Sequence, residues 1–333
     1  MSKNPTIADV AKMAGVSVTT VSRILNGNYH KMRPATRQKV EAVIKKVNYV
    51  PAASARRLRQ NHGNVIGILV GDVANPFSTL LAKGIGDVLQ EADYDILLMN
   101  TDNSNHREKR AIQRLSEQQV DGIIAQPDTN HFQDYQEIIN HDIPLVVVDR
   151  EIPDQPSSVT RVTSCNQDAC YQLGKTLVAR GYQNILTVSA RFAQASGQIP
   201  RIAGLKATAL ENGLSFHNLE TRDHDQAWLV KNVSRSINEL PGRTVVISLM
   251  GPVLFDLLDA FTTLGLSFPK DIGLVSFDDW EWSRYVGHGI FLLKQDMELM
   301  GNIAAKRLLE SIRGQGQGGT TLLPVEVVDR PSL

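Results

Sequence analysis

Apolar residues near the start of the chain recur at helical spacing. Ile7, Val10, Ala11 and Ala14 fall on one face, and Thr6-Ile-Ala-Asp9 places a hydroxyl three residues before a carboxylate, in the manner of a capping box. Gly15 supplies the permissive backbone that ends this helix and turns the chain. Ser17 then caps a second helix, on which Val21, Ile24 and Leu25 pack inward while Val18, Thr19, Ser22 and Arg23 point outward. Two short helices about a glycine turn form a helix-turn-helix, and Val18 and Thr19 lie in the first turn of its second helix, the part that reaches deepest into a DNA groove. A third amphipathic segment runs from Pro34 to Val47, with Val40, Val43, Ile44 and Val47 at core spacing and Arg37, Lys39, Lys45 and Lys46 at the surface.

From Val65 the pattern changes to short β-branched runs between helical segments. Val65–Val70, Tyr94–Met99, Gly122–Ala125 and Pro144–Val148 read as buried strands, with helices at Pro76–Glu91, Arg107–Gln118 and Phe132–Asn140. A second set follows at Ile185–Val188, near Leu219, at Val245–Ser248 and at Ile272–Phe277. Such alternation predicts α/β architecture: a small all-α head followed by two Rossmann-like lobes with parallel sheets. Ligands in open α/β sheets bind beyond the carboxyl ends of the strands, so the cleft between the lobes is the expected site. No internal repeat stands out in the sequence.

Charge divides the chain as sharply as the pattern does. Met1–Asn61 carries twelve Lys or Arg against Asp9 and Glu41, a net of +10, whereas the whole chain of 333 residues is formally neutral. A basic head on an acidic body is the electrostatic footprint of nucleic-acid binding. Cys165 and Cys170 are too few for a disulfide framework, and no apolar run is long enough for a membrane span or a signal segment, so a cytoplasmic protein with reduced thiols is expected.

Ala11–Asn26, followed by Asn48-Tyr49-Val50-Pro51-Ala52-Ala53-Ser54-Ala55-Arg56-Arg57-Leu58, resembles the head of the LacI/GalR family of bacterial transcription repressors. The resemblance implies a helix-turn-helix domain at 1–49 and a hinge helix or linker at 50–62. It implies an effector-binding and dimerisation domain at 63–333, similar to periplasmic sugar-binding proteins, with lobe 1 about 63–162 plus 293–322 and lobe 2 about 163–292 plus 323–333. By the same resemblance Val18 and Thr19 read bases and Arg23 adds a groove contact. Ala55, Arg56 and Leu58 lie on the hinge helix, with Leu58 wedged into the minor groove at the operator centre. Thr6, Ser17, Thr20, Ser22 and Asn26 complete the DNA-facing candidates. Two departures mark the head: the Gly27–Pro34 loop is one residue longer than usual, and Arg33 stands where a serine commonly caps the third helix.

The candidate effector residues follow strands: Asp72, Asn75 and Phe77 after the first, Asp149 and Arg150 after the fourth, Asp278 and Trp280 after the last large one. The resemblance carries ligand contact over to Arg201, Asp278 and Asp149, lining of the pocket to Phe77, and a crossover glutamine to Gln295. Met250-Gly251-Pro252 replaces a family Asn-Asp, which removes a direct hydrogen bond to a sugar hydroxyl. Trp280, Trp282 and Arg284 are expected at the pocket mouth, and with Arg150 and Arg201 they hint at a sugar acid or sugar phosphate.

These features predict a homodimer that binds a double-stranded, pseudo-palindromic operator and responds to a carbohydrate-like effector, with no cofactor, metal or membrane partner. No leucine-heptad tail follows the body, which favours a dimer over a tetramer. A solute-binding protein or sugar-processing enzyme on the same body is the alternative from another class. The basic head, the lack of a nucleophile–base pair or phosphate loop, and histidines without ligand spacing count against it. A protein co-regulator in place of the small effector is the third reading.

Overall fold

A computed structural model describes residues 5–25, 27–30, 32–49, 63–190, 196–221, 224–278 and 281–333. The chain divides into two units, Met1–Gly63 and Asn64–Leu333.

The first unit holds three helices, α1 (Ile7–Ala14), α2 (Val18–Leu25) and α3 (Pro34–Lys46). The capping box at the start of α1 is complete: Thr6 N–H donates to Asp9 Oδ2 at 2.9 Å and Asp9 N–H donates to Thr6 Oγ1 at 3.3 Å. Gly15 ends α1 at φ 65°, and Ser17 Oγ accepts from Thr20 N–H at 3.2 Å to open α2. Arg33 makes no side-chain cap to α3, which instead starts on Pro34. Val10, Ala11, Ala14, Val21, Ile24, Val40 and Tyr49 form the core. One expectation fails here: Ser22 is 3% exposed, packed into this core face rather than pointing outward.

The second unit contains two six-stranded sheets. The first comprises β1 (Val65–Val70), β2 (Asp95–Asn100), β3 (Gly122–Ala125), β4 (Leu145–Val148), β5 (Thr160–Ser164) and β11 (Thr320–Leu323), in the order β11-β5-β4-β3-β1-β2, and every pair is parallel. The second comprises β6 (Asn184–Ser189), β7 (Ser215–Glu220), β8 (Thr244–Ser248), β9 (Gly273–Phe277), β10 (Phe291–Gln295) and β12 (Val325–Val328), in the order β12-β10-β9-β8-β6-β7. Only β12 in this sheet runs antiparallel, against β10. The two orders are the same, so the fold repeats although no repeat is visible in the sequence.

Helices cover both faces of each sheet. On the first, α4 (Pro76–Glu91) and α11 (Met297–Ile312) bury one core, and α5 (Asn105–Glu117), a 3-10 turn at Phe132–Tyr135 and α6 (Gln136–Asn140) bury the other. On the second, α7 (Asn166–Ala179) and α8 (Gln198–Asn212) take one face, and α9 (Gln226–Glu239) and α10 (Gly251–Leu264) the opposite one. The segment at Phe132–Asn140 is thus a 3-10 turn leading into a short α-helix rather than one helix.

Small residues allow the closest helix contacts. A Cβ at Gly84 of α4 would stand 2.1 Å from the Glu298 carbonyl oxygen, and one at Gly301 of α11 would stand 2.3 Å from that of Leu81. The chain passes between the sheets three times, after Ser164, after Gln295 and after Leu323. Phe291–Leu293 pairs with β9 and Leu292–Gln295 with β12, so the second passage falls after 295, near the expected boundary of about 293.

Candidate effector cavity and DNA-facing helix

Residues just beyond the strand ends meet in one cavity with an empty volume of about 380 Å³, lined by Asn75, Phe77, Gln126, Asp149, Arg150, Gly197, Gln198, Arg201, Met250, Asp278 and Gln295. Two aspartates occupy matching places in the repeated fold. Asp149 follows β4 at φ 63° and its N–H donates to the Val162 carbonyl of β5; Asp278 follows β9 at φ 66° and its N–H donates to the Leu293 carbonyl of β10. The left-handed backbone at both positions is unusual for a residue with a side chain and turns each carboxylate off the strand end. Each is then held by a glutamine amide at 2.8 Å, Gln126 Nε2 to Asp149 Oδ2 and Gln295 Nε2 to Asp278 Oδ1. Burial pushes the Asp278 carboxyl up to about 6, against the opposing pull of Arg201 and the Gln295 amide, and the negative charge of Asp149 adds to the rise.

The two arginines differ in their surroundings. Arg150 is closed in a buried ion pair with Asp128, and its Nη2 donates to Asn103 Oδ1 at 2.7 Å. Its guanidinium lies over Gly71, where any Cβ would stand 2.6 Å from Nη2. Arg201, in the first turn of α8, donates through Nε to Asn166 Oδ1 at 2.9 Å and through Nη1 to the Leu249 carbonyl, and its guanidinium stacks 3.7 Å from the Phe277 ring centroid. Behind Arg150 the polar chain continues away from the cavity. Asp128 accepts from the Thr101 hydroxyl, its N–H donates to Glu108 Oε1 at 3.1 Å, and Glu108 accepts from the Tyr135 hydroxyl.

Seven of the expected effector residues, Asn75, Phe77, Asp149, Arg150, Arg201, Asp278 and Gln295, stand in the cavity wall. Asp72 does not: its carboxylate accepts from Ala74 N–H at 2.9 Å and shapes the turn into α4. Trp280 lies outside the described residues. Trp282 and Arg284 are not among the residues lining the cavity; Trp282 packs 4.8 Å from the Phe255 ring and Arg284 pairs with Glu281 at 3.8 Å. Gln126, Gly197, Gln198 and Met250 were not among the sequence candidates as ligand-facing groups. Gln126 directly follows β3 and satisfied the same strand-end rule, while Gln198 precedes Arg201 by three residues and so shares its helix face.

On the head, Val18 is 44% exposed and Ser17, Thr19 and Arg23 are exposed with it, so the outer face of α2 is open to solvent. Thr20 is half-buried, its hydroxyl 2.9 Å from that of Ser17. Thr6 is exposed at the start of α1. Asn26, Ala55, Arg56 and Leu58 lie outside the described residues.

This architecture has close counterparts. Residues 6–52 match bacterial regulatory proteins of the lacI family, residues 63–238 match the periplasmic binding proteins and sugar-binding domain of the LacI family, and residues 175–333 match a periplasmic-binding-protein-like domain. The chain belongs to the LacI family. It is 30% identical to the HTH-type transcriptional regulator KdgR of Bacillus subtilis, over 98% of this chain and 97% of that protein. It is 31% identical to the regulator PtxS of Pseudomonas putida, over 93% and 90%. Among solved structures, the Lac repressor dimer bound to operator and the anti-inducer ONPF is similar with a TM-score of 0.82 and 26% identity, covering 99% of each chain. This LacI-family chain is therefore a DNA-binding transcriptional regulator with a sugar-binding type of effector domain, and not an enzyme. Among the described residues no helix is long and apolar enough to cross a membrane, and no group of side chains could hold a metal ion.

Proposed function

We propose that this regulator is a homodimeric repressor of a carbohydrate-utilisation operon, with operator affinity set by a sugar-like ligand in the cavity described above. The observation that carries the reading is the composition of the cavity wall. Asn75, Phe77, Gln126, Asp149 and Arg150 come from the side of the first sheet, and Arg201, Met250, Asp278 and Gln295 from the side of the second. A ligand that bonds both sets favours one angle between the sheets, which is the differential affinity that allosteric control requires. Carboxylates, amides and the Phe77 ring in one wall suit a polyhydroxylated ring with one apolar face.

On the DNA side, Val18 and Thr19 read base edges and Arg23 adds a groove contact, with Thr6, Ser17 and Thr20 near the phosphates. The hinge residues Ala55, Arg56 and Leu58 pair across the operator centre. Buried Ser22 holds α2 in the head instead of reaching DNA. Homodimerisation is supported by apolar side chains left exposed in the second unit: Val73, with Ile96 and Leu98 on edge strand β2, and Phe255 with Tyr285.

A thermal-shift screen of neutral sugars, sugar acids and sugar phosphates tests the reading, since a ligand bound to the native state raises stability by mass action. The expected outcome is saturable stabilisation by one class, with the same ligand changing the affinity of an operator fragment. Stabilisation by none of the three classes would instead favour a protein co-regulator.

A further inference from the structure

The cavity holds two arginines, but among the described residues only Arg150 is closed in an ion pair; Arg201 acts on the Asp278 carboxyl through its charge without pairing with it. Arg150 and Asp128 form an ion pair whose side chains are 6% and 0% exposed, and Asp128 lies behind Arg150 rather than in the cavity wall. Its position is fixed from two sides, by the Thr101 hydroxyl on its second oxygen and by Glu108 on its backbone N–H. The hydrogen bonds of Arg201 go to neutral acceptors, the Asn166 amide oxygen and the Leu249 carbonyl, and among the described residues it has no ion pair. The carboxylate nearest in effect, Asp278, is bonded to Gln295.

We propose that Asp128 determines ligand polarity: it closes Arg150 into an internal ion pair and leaves Arg201 as the guanidinium available to a negatively charged group. This rests on the reading of the cavity as the effector site. A ligand with one carboxylate is seated with that group toward Arg201 and its hydroxyls toward Asp149 and Gln126. Arg150 still donates to neutral oxygens, but adds no attraction for an anion. Asp128 acts only through Arg150 and touches no ligand itself.

Glucose and glucuronate differ by one carboxylate and serve as probes. They are titrated into the full chain as wild type, Asp128→Asn and Asp128→Asn/Arg150→Gln, by calorimetry and thermal shift, with circular dichroism checking each fold. Removing one partner of a buried pair leaves the other charge uncompensated, so the glucuronate-to-glucose affinity ratio should rise about tenfold in Asp128→Asn. The gain should vanish in the double variant. Asp128→Ser, which leaves room for a water against Arg150, provides the same comparison if the amide is not accommodated. An unchanged ratio in a folded single variant, or a gain that survives loss of Arg150, overturns the assignment. If neither wild type nor Asp128→Asn binds either probe, the effector reading falls and the role of Asp128 with it; if both bind with the same ratio, the effector reading stands and only the role of Asp128 falls.

Discussion

Burial holds the Glu108 carboxyl at about 7, well above its ordinary 4.5, although the Tyr135 hydroxyl and the Asp128 N–H both donate to it. Its second oxygen, Oε2, is buried without a hydrogen bond. A carboxyl raised in the folded state contributes stability that is fully present below pH 4.5 and is lost as the pH rises through about 7. The loss by pH 8 is about 3 kcal/mol. Glu108→Gln keeps an oxygen for both donors and removes the charge. Thermal melts of this variant should show a gain of several degrees over wild type at pH 8, narrowing towards pH 5; an equal difference at both pH values would mean that the charge is not the cause. Asp278 shows the same conflict inside the cavity, where a carboxylate is kept against its burial next to Arg201. Groups raised in this way at a concave site are the ones expected to meet a ligand. Neither shift could be seen in the sequence, because each depends on which elements fold over the carboxylate.

At the scale of the elements, α4 and α11 come close through two glycines. Gly84→Ala would drive a methyl to within 2.1 Å of a backbone carbonyl, which cannot rotate away, so the helices must part at a cost of about 1–3 kcal/mol. Gly86, two residues on, provides the control: its Cβ would meet only Ile96 Cδ1, at 3.6 Å. There the helix propensity of alanine is expressed, worth up to about 1 kcal/mol. Denaturant unfolding should therefore move in opposite directions for Gly84→Ala and Gly86→Ala, and a parallel change would reject the packing argument. From periodicity the first pair of elements is fully legible: Val65–Val70 and Pro76–Glu91 are read to the residue. Thr160–Ser164 escapes because Val162 is its single apolar residue although it is a buried inner strand; Thr163 satisfies its hydroxyl on the Asp149 carbonyl, a partner the sequence cannot indicate. Thr320–Leu323 and Val325–Val328 are short and largely exposed, so they lack the apolar run that marks the central strands. In the site, the strand-end rule reaches Asp149 and Asp278, whereas proximity along the chain to Asp278 misplaces Trp282, which folds against Phe255 instead.

For the whole molecule, the cavity wall and one of the passages between the sheets meet at a single residue. The chain passes after Ser164, Gln295 and Leu323, and Gln295 is also the residue whose amide holds Asp278 in the cavity wall. Under the proposed function, a ligand bonded to this wall would act directly on one of the three connections, so its binding energy would favour one angle between the sheets. Arg201→Ala separates this coupling from DNA affinity. It removes the guanidinium that ties α8 to Asn166 and to the Leu249 carbonyl at the cavity, while the outer face of α2 belongs to a different unit of the chain. Operator affinity measured by fluorescence anisotropy without ligand should stay within about twofold of wild type, whereas the ligand-dependent change, about 5–150-fold for typical coupling energies, should disappear. Loss of operator binding without ligand would place Arg201 in the structural path to the DNA-binding state. A retained ligand response would move the effector site away from this cavity.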